Sequence, residues 1–104
     1  MILEKDFTFR LCGCNIPVTH SDPGNWQQSG MGRSNSLTGA IELSTKLTDV
    51  TRAPVFIHEM LHLALDFHGF DKESSNEHLV NAISHILLSW MRDNQELVRE
   101  IAQS

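Results

Sequence analysis

Residues 55–69 read VFIHEMLHLALDFHG, and within them His58-Glu59-Met60-Leu61-His62 has the spacing H-E-x-x-H. On a helix, residues i and i+4 share one face, with Cβ atoms roughly 5–6 Å apart. Two imidazoles so placed can converge on one zinc ion at about 2.0–2.1 Å. The glutamate next to the first histidine points beside the metal rather than at it. From there it can take a proton from a water whose pKa the metal lowers toward ~7. The spacing thus supplies two ligands and a general base. The positions around them are apolar (Phe56, Ile57, Met60, Leu61, Leu63, Ala64). Imidazoles and a carboxylate in such a helix need partners, because burying them unpaired costs free energy. A metal site is therefore preferred over core histidines satisfied by other groups.

A catalytic zinc usually takes three protein ligands and keeps a fourth position for water. His68, Glu77, His78 and His85 are the candidates for the third. His68 has the spacing used by metzincins, but those need a glycine three residues after the second histidine, and Leu65 stands there. If the helix runs on to Gly69, His68 lies roughly 240° around from His62 and faces away. On the following helix, at ~100° per residue, Leu79, Val80, Ile83, Ile86, Leu87, Trp90 and Met91 form an apolar arc, while His78, Ala82, His85, Ser89, Arg92 and Asp93 face solvent. Glu77, Asn81, Ser84 and Leu88 lie on the seam. Glu77 is the preferred third ligand and His78 the reserve, with Ser84 small enough for close helix approach and Asn81 a further ligand-orienting or substrate-contacting group. Ser74-Ser75-Asn76-Glu77 also reads as a capping box, which would give Glu77 a purely structural job. Asp66, four residues after His62, is either a supporting acceptor or a solvated charge.

Strands precede helices. Phe7, Phe9 and Leu11 alternate with Thr8 and Arg10, as in a half-buried strand. A turn is expected at residues 13–15 and a second strand over Ile16 to His20, placed at an edge by Pro17. A loop follows at residues 21–25. Residues 26–37 read as an irregular strand or mobile loop, and Thr38 to Thr45 as a strand with Ile41 and Leu43 on one face. Thr48 or Thr51 can cap the H-E-x-x-H helix, with Pro54 in its first turn and Gly69 closing it in a left-handed conformation. The second helix is expected from Ser74 to about Arg92, and residues 94–102 continue it or form a short third one. This order implies a single α+β domain over residues 1–104, in which a sheet of three to four short strands packs against the two helices.

Composition fits that reading. The chain has 104 residues, 40% of them apolar and 20% charged, as in an ordinary globular domain. A net charge of −5 without Lys/Arg runs argues against a nucleic-acid surface. No apolar stretch is long enough to span a bilayer and MILEKDF does not read as a signal peptide, so a cytoplasmic location is expected. Cys12 and Cys14 would form a strained disulfide and have no second pair to complete a four-sulfur site, so they read as reduced. Six histidines are the oddity, all but His20 lying between residues 58 and 85.

VFIHEMLHLALDFHGF followed by NEHLVNAISHILLSWMRDNQELV resembles the small zincin-type (gluzincin, ImmA/IrrE-like) metallopeptidase domains of phage and bacterial proteins. The family pattern resembles E-x-x-A-N on the second helix, here Glu77-His78-Leu79-Val80-Asn81, with Val80 in place of alanine. The resemblance implies zinc held by His58, His62 and Glu77, Glu59 as general base, and a peptide or protein substrate. It also implies that the last strand, residues 38–45, lines the cleft and pairs with extended substrate. The chain departs from the family in lacking any tyrosine to stabilise the oxyanion. His68, His78, His85 or Arg33 would have to substitute. A metal-binding interaction module without catalysis is the alternative.

Overall fold

The computed structural model describes residues 2–26 and 30–104. It is an α+β fold with the element order β1 (Phe7–Leu11), β2 (Cys14–Ser21), β3 (Gly32–Asn35), β4 (Ala40–Ser44), α1 (Arg52–Phe67), α2 (Asp71–Ser74), α3 (Glu77–Asp93) and α4 (Gln95–Gln103). Short 3-10 turns at Ile2–Glu4 and Pro23–Asn25 precede β1 and follow β2. The sheet order is β1-β2-β4-β3, with β2 and β4 parallel and the other pairs antiparallel.

Alternation along the strands directs one face of the sheet to the helices. Ile16 and Val18 of β2, Ile41 and Leu43 of β4, Leu47 and Leu63 form the buried core. Phe7, Phe9, Leu11, Val55, Phe56 and Met60 close around it. The Phe9 and Phe56 rings meet edge to face with centroids 5.0 Å apart, joining β1 to α1. The β1–β2 turn is Cys12-Gly13, both at positive φ (51° and 80°), and Cys14 already pairs with Leu11, so the turn falls one residue earlier than expected. Both thiols are free and exposed.

Two expectations need correction, on Pro17 and on the second helix. Pro17 does not mark an edge strand: β2 lies between β1 and β4, and Pro17 is accommodated because pairing with β4 begins only at Val18. The polar segment 26–37, expected as an irregular strand or loop, contains β3, which with β1 forms the two edges of the sheet; residues 27–29 fall outside the described ones. The second helix is split at its start. Ser74 ends the short α2, and α3 begins at Glu77 with Asn76 as its cap, the Asn76 carboxamide accepting from the Leu79 N–H at 3.1 Å.

Helix α1 packs across the sheet and against α3. Thr51 occupies its N-cap position but turns its hydroxyl back to the Thr48 backbone rather than onto the helix. Its other end is a Schellman closure: Phe70 N–H bonds Leu65 O at 2.8 Å, Gly69 N–H bonds Asp66 O at 3.1 Å, and Gly69 has φ 80°. α3 buries Val80 and Ser84, whereas Ile86 and Trp90 stay 66% and 42% exposed. The apolar arc is thus only partly covered, because α3 leans on α1 with the Val80–Ser84 edge of that arc. α4 is a separate short helix after Asn94 with no buried residue. No helix among the described residues is long and apolar enough to cross a membrane.

Candidate metal centre

Helix α1 carries His58 and His62 one turn apart, half-buried, with ring centroids 4.7 Å apart. The α2–α3 segment returns along α1 and presents Glu77 at the first position of α3. Glu77 Oε2 lies 3.0 Å from His58 Nε2, Glu77 Oε1 lies 2.9 Å from His62 Nε2, and the two Nε2 atoms are 3.1 Å apart. One donor atom from each residue falls within 4.8 Å of the others, an arrangement able to hold a metal ion. The capping-box role for Glu77 is absent, since the helix start is satisfied by Asn76 and the carboxylate is left to face the imidazoles.

Ser74 is a member of the site that the sequence did not reveal. Its hydroxyl lies 3.2 Å from both His62 Nδ1 and His62 O, and the residue is buried. The hydroxyl donates its only proton to the carbonyl and so accepts from Nδ1–H. That tautomer leaves the His62 Nε2 lone pair pointing at the Glu77 carboxylate and at His58 Nε2, an assembly that a cation relieves. The only sequence signal was the short spacing between His62 and Ser74 across a glycine turn, which does not single out Ser74.

Glu59 is 6% exposed, and its Oε2 has no hydrogen-bond partner among the described residues. Burial pushes its carboxyl above the ordinary value of 4.5, against the opposing pull of His62 and His58, and Glu77 pushes it further up. It sits where β3 crosses α1: a Cβ on Gly32 would fall 2.8 Å from Val55 Cγ1 and 3.2 Å from Glu59 Cγ. The glycine is what lets the edge strand come this close.

These residues open onto a cleft of about 1290 Å³. One wall is β3 with Met31, the other the Glu77–Asn81–His85–Arg92 flank of α3. His85, expected to face solvent, borders this cleft while remaining exposed. His68 and His78 are exposed and lie outside the donor cluster. His68 Nδ1 instead sits 2.8 Å from Ala64 O. Asp66 borders the cleft, but Ser74 takes the supporting place beside His62. Arg33 is held on the outer face of the sheet by Glu42, with Nε–Oε1 at 2.6 Å, and stacks 4.7 Å from the Trp26 ring. The Arg33 hydrogen bond, followed by that from Ser21, holds the Glu42 carboxyl below its ordinary value. β4 has β2 and β3 on either side, so the strand expected to pair with substrate has no free edge; the free edge bordering the cleft belongs to β3. Comparison with protein-family models, curated proteins and solved structures gives no match to this chain.

Proposed function

We infer that the protein is a zinc metallopeptidase of gluzincin type, with His58, His62 and Glu77 as zinc ligands and Glu59 as general base. The observation that carries this reading is the convergence of three donors next to a buried carboxylate whose Oε2 has no hydrogen-bond partner among the described residues. Two imidazole nitrogens and one carboxylate are a donor set of catalytic zinc sites, with a fourth position left open. Two ligands of a tetrahedral zinc at about 2.0–2.1 Å stand roughly 3.3–3.4 Å apart. The two Nε2 atoms are 3.1 Å apart and each lies 2.9–3.0 Å from its own Glu77 carboxylate oxygen, so the donors stand close to that spacing.

When bound, zinc would supply Lewis acidity to a peptide carbonyl and acidify water toward a pKa of ~7. Glu59 removes a proton from the attacking water as its oxygen bonds to the carbonyl carbon and the C=O π pair moves onto the carbonyl oxygen. Glu59 then passes that proton to the amide nitrogen as the C–N bond breaks, and returns to a carboxylate. The free edge of β3 offers backbone groups to an extended peptide, which makes it the strand that would align substrate.

The alternative reading is a metal-binding module without hydrolysis, and Glu59→Gln separates the two. Wild-type protein loaded with zinc should cleave members of a peptide library. The variant should bind zinc equally and lose at least about a hundredfold in cleavage. Equal cleavage by both would contradict the mechanism, and zinc uptake with no cleavage by either would favour the binding module.

A further inference from the structure

We propose that Asn81 is the hydrogen-bond donor that meets the charge developing on the scissile carbonyl oxygen. This rests on the hydrolytic reading above and fills the position for which the chain has no tyrosine. Glu59 serves the attacking oxygen from the side of β3, against which it packs. The donor for the carbonyl oxygen must come from another wall, and α3 forms that wall.

The polar groups near the site divide clearly. Arg33 also borders the cleft, but its Nε–H is given to Glu42 and its guanidinium stacks on Trp26. Ser84 is buried with its hydroxyl given to Val80 O at 2.7 Å, and Ser75 gives its own to Asp71 O at 2.6 Å. His85 stands two turns along α3 from Glu77, a rise of roughly 12 Å. Asn81 stands one turn along, roughly 6 Å, on the same cleft-facing flank. Helical Cα–Cβ bonds tilt toward the N-terminus, which carries its carboxamide back toward Glu77. Among the described residues that carboxamide has no hydrogen bond. Its N–H₂ can therefore be aimed at a substrate oxygen without first breaking a bond. As water adds, the carbonyl oxygen gains a full negative charge. Asn81 is exposed, so the helix fixes its backbone and only its side-chain torsions have to set as the carbonyl oxygen arrives.

The test uses zinc-loaded protein, peptide cleavage, and binding of N-phosphoryl-leucyl-tryptophan, whose phosphoryl oxygens mimic those of the tetrahedral adduct. Asn81→Ala and Asn81→Asp should each lose about a hundredfold in kcat with KM nearly unchanged. Each should bind the phosphoryl dipeptide at least about tenfold more weakly while keeping zinc affinity within about twofold. The aspartate matters because it accepts but cannot donate. Unchanged kcat and unchanged dipeptide binding in Asn81→Ala would overturn the proposal. So would loss of zinc affinity in the alanine variant that the aspartate restores, which would make Asn81 an acceptor orienting His58. A loss of dipeptide binding confined to Ser34→Ala, on the opposite wall, would overturn it as well. A wild type that binds zinc and the dipeptide but cleaves nothing defeats the hydrolytic reading alone, because dipeptide binding still reads the donor. A wild type that takes up no zinc defeats both.

Discussion

Glu77 lies 2.9–3.0 Å from two imidazole nitrogens although it comes from a different helix and is mostly exposed. A contact to so exposed a carboxylate contributes little to stability by itself, about 0–1 kcal/mol even between full charges. Its effect on metal affinity should be far larger, because removing one of three ligands leaves an incomplete site. Glu77→Ala should therefore weaken zinc binding by orders of magnitude in a chelator competition, while His68→Ala leaves it unchanged. The reverse result would show that the helix geometry is wrong. Ser74 acts through His62: without its hydroxyl the ring is free to rotate and to change tautomer. Ser74→Ala should weaken zinc binding about 10–100-fold, the usual effect of removing such a support, with helix content by circular dichroism unchanged. The three donors of the cluster were legible from H-E-x-x-H and the helical angle of Glu77. Ser74 was not, because it was assigned to the helix start, whereas Asn76 performs that capping and Ser74 belongs to the short turn before it.

At the level of elements, the site depends on how closely β3 crosses α1. Gly32 has no room for a side chain, its virtual Cβ falling 2.8 Å from Val55. Gly32→Ala should destabilise the fold by about 1–3 kcal/mol, the range for overpacking, seen as a lower urea midpoint with unchanged slope. It should also disturb Glu59 before the zinc ligands, so that cleavage falls more than zinc affinity. The β1 and β4 patterns and the two-helix arrangement could be read directly, since alternation and 3.6-residue periodicity survive in short elements. The short edge strand β3 could not be told from a loop. Residues 32–35, Gly-Arg-Ser-Asn, lack an apolar pattern because they pair with β4 on one side only and lie over α1 by backbone. Pro17 pointed the wrong way because a proline is tolerated inside a sheet where one neighbour has not yet begun to pair.

For the whole molecule, a metal at this centre would tie α1 to the α2–α3 segment, adding to the packing of α1 against α2 and α3 and to the Ser74–His62 contact. A ligand that binds only the folded state adds stability as its concentration rises, by ~2.7 kcal/mol at a hundred times Kd. For a domain of this size that corresponds to roughly 10–20 °C in Tm. Zinc should therefore raise the melting temperature in a concentration-dependent way and EDTA should lower it, whereas in Glu77→Ala neither should have much effect. The central claim is that these three side chains form one zinc site, and a zinc-edge anomalous difference map tests it most directly. The crystals should come from protein purified without added metal. A single strong peak is expected about 2.0–2.1 Å from His58 Nε2, His62 Nε2 and a Glu77 carboxylate oxygen. No peak there, or one coordinated by His68 or His78 in place of Glu77, would contradict it.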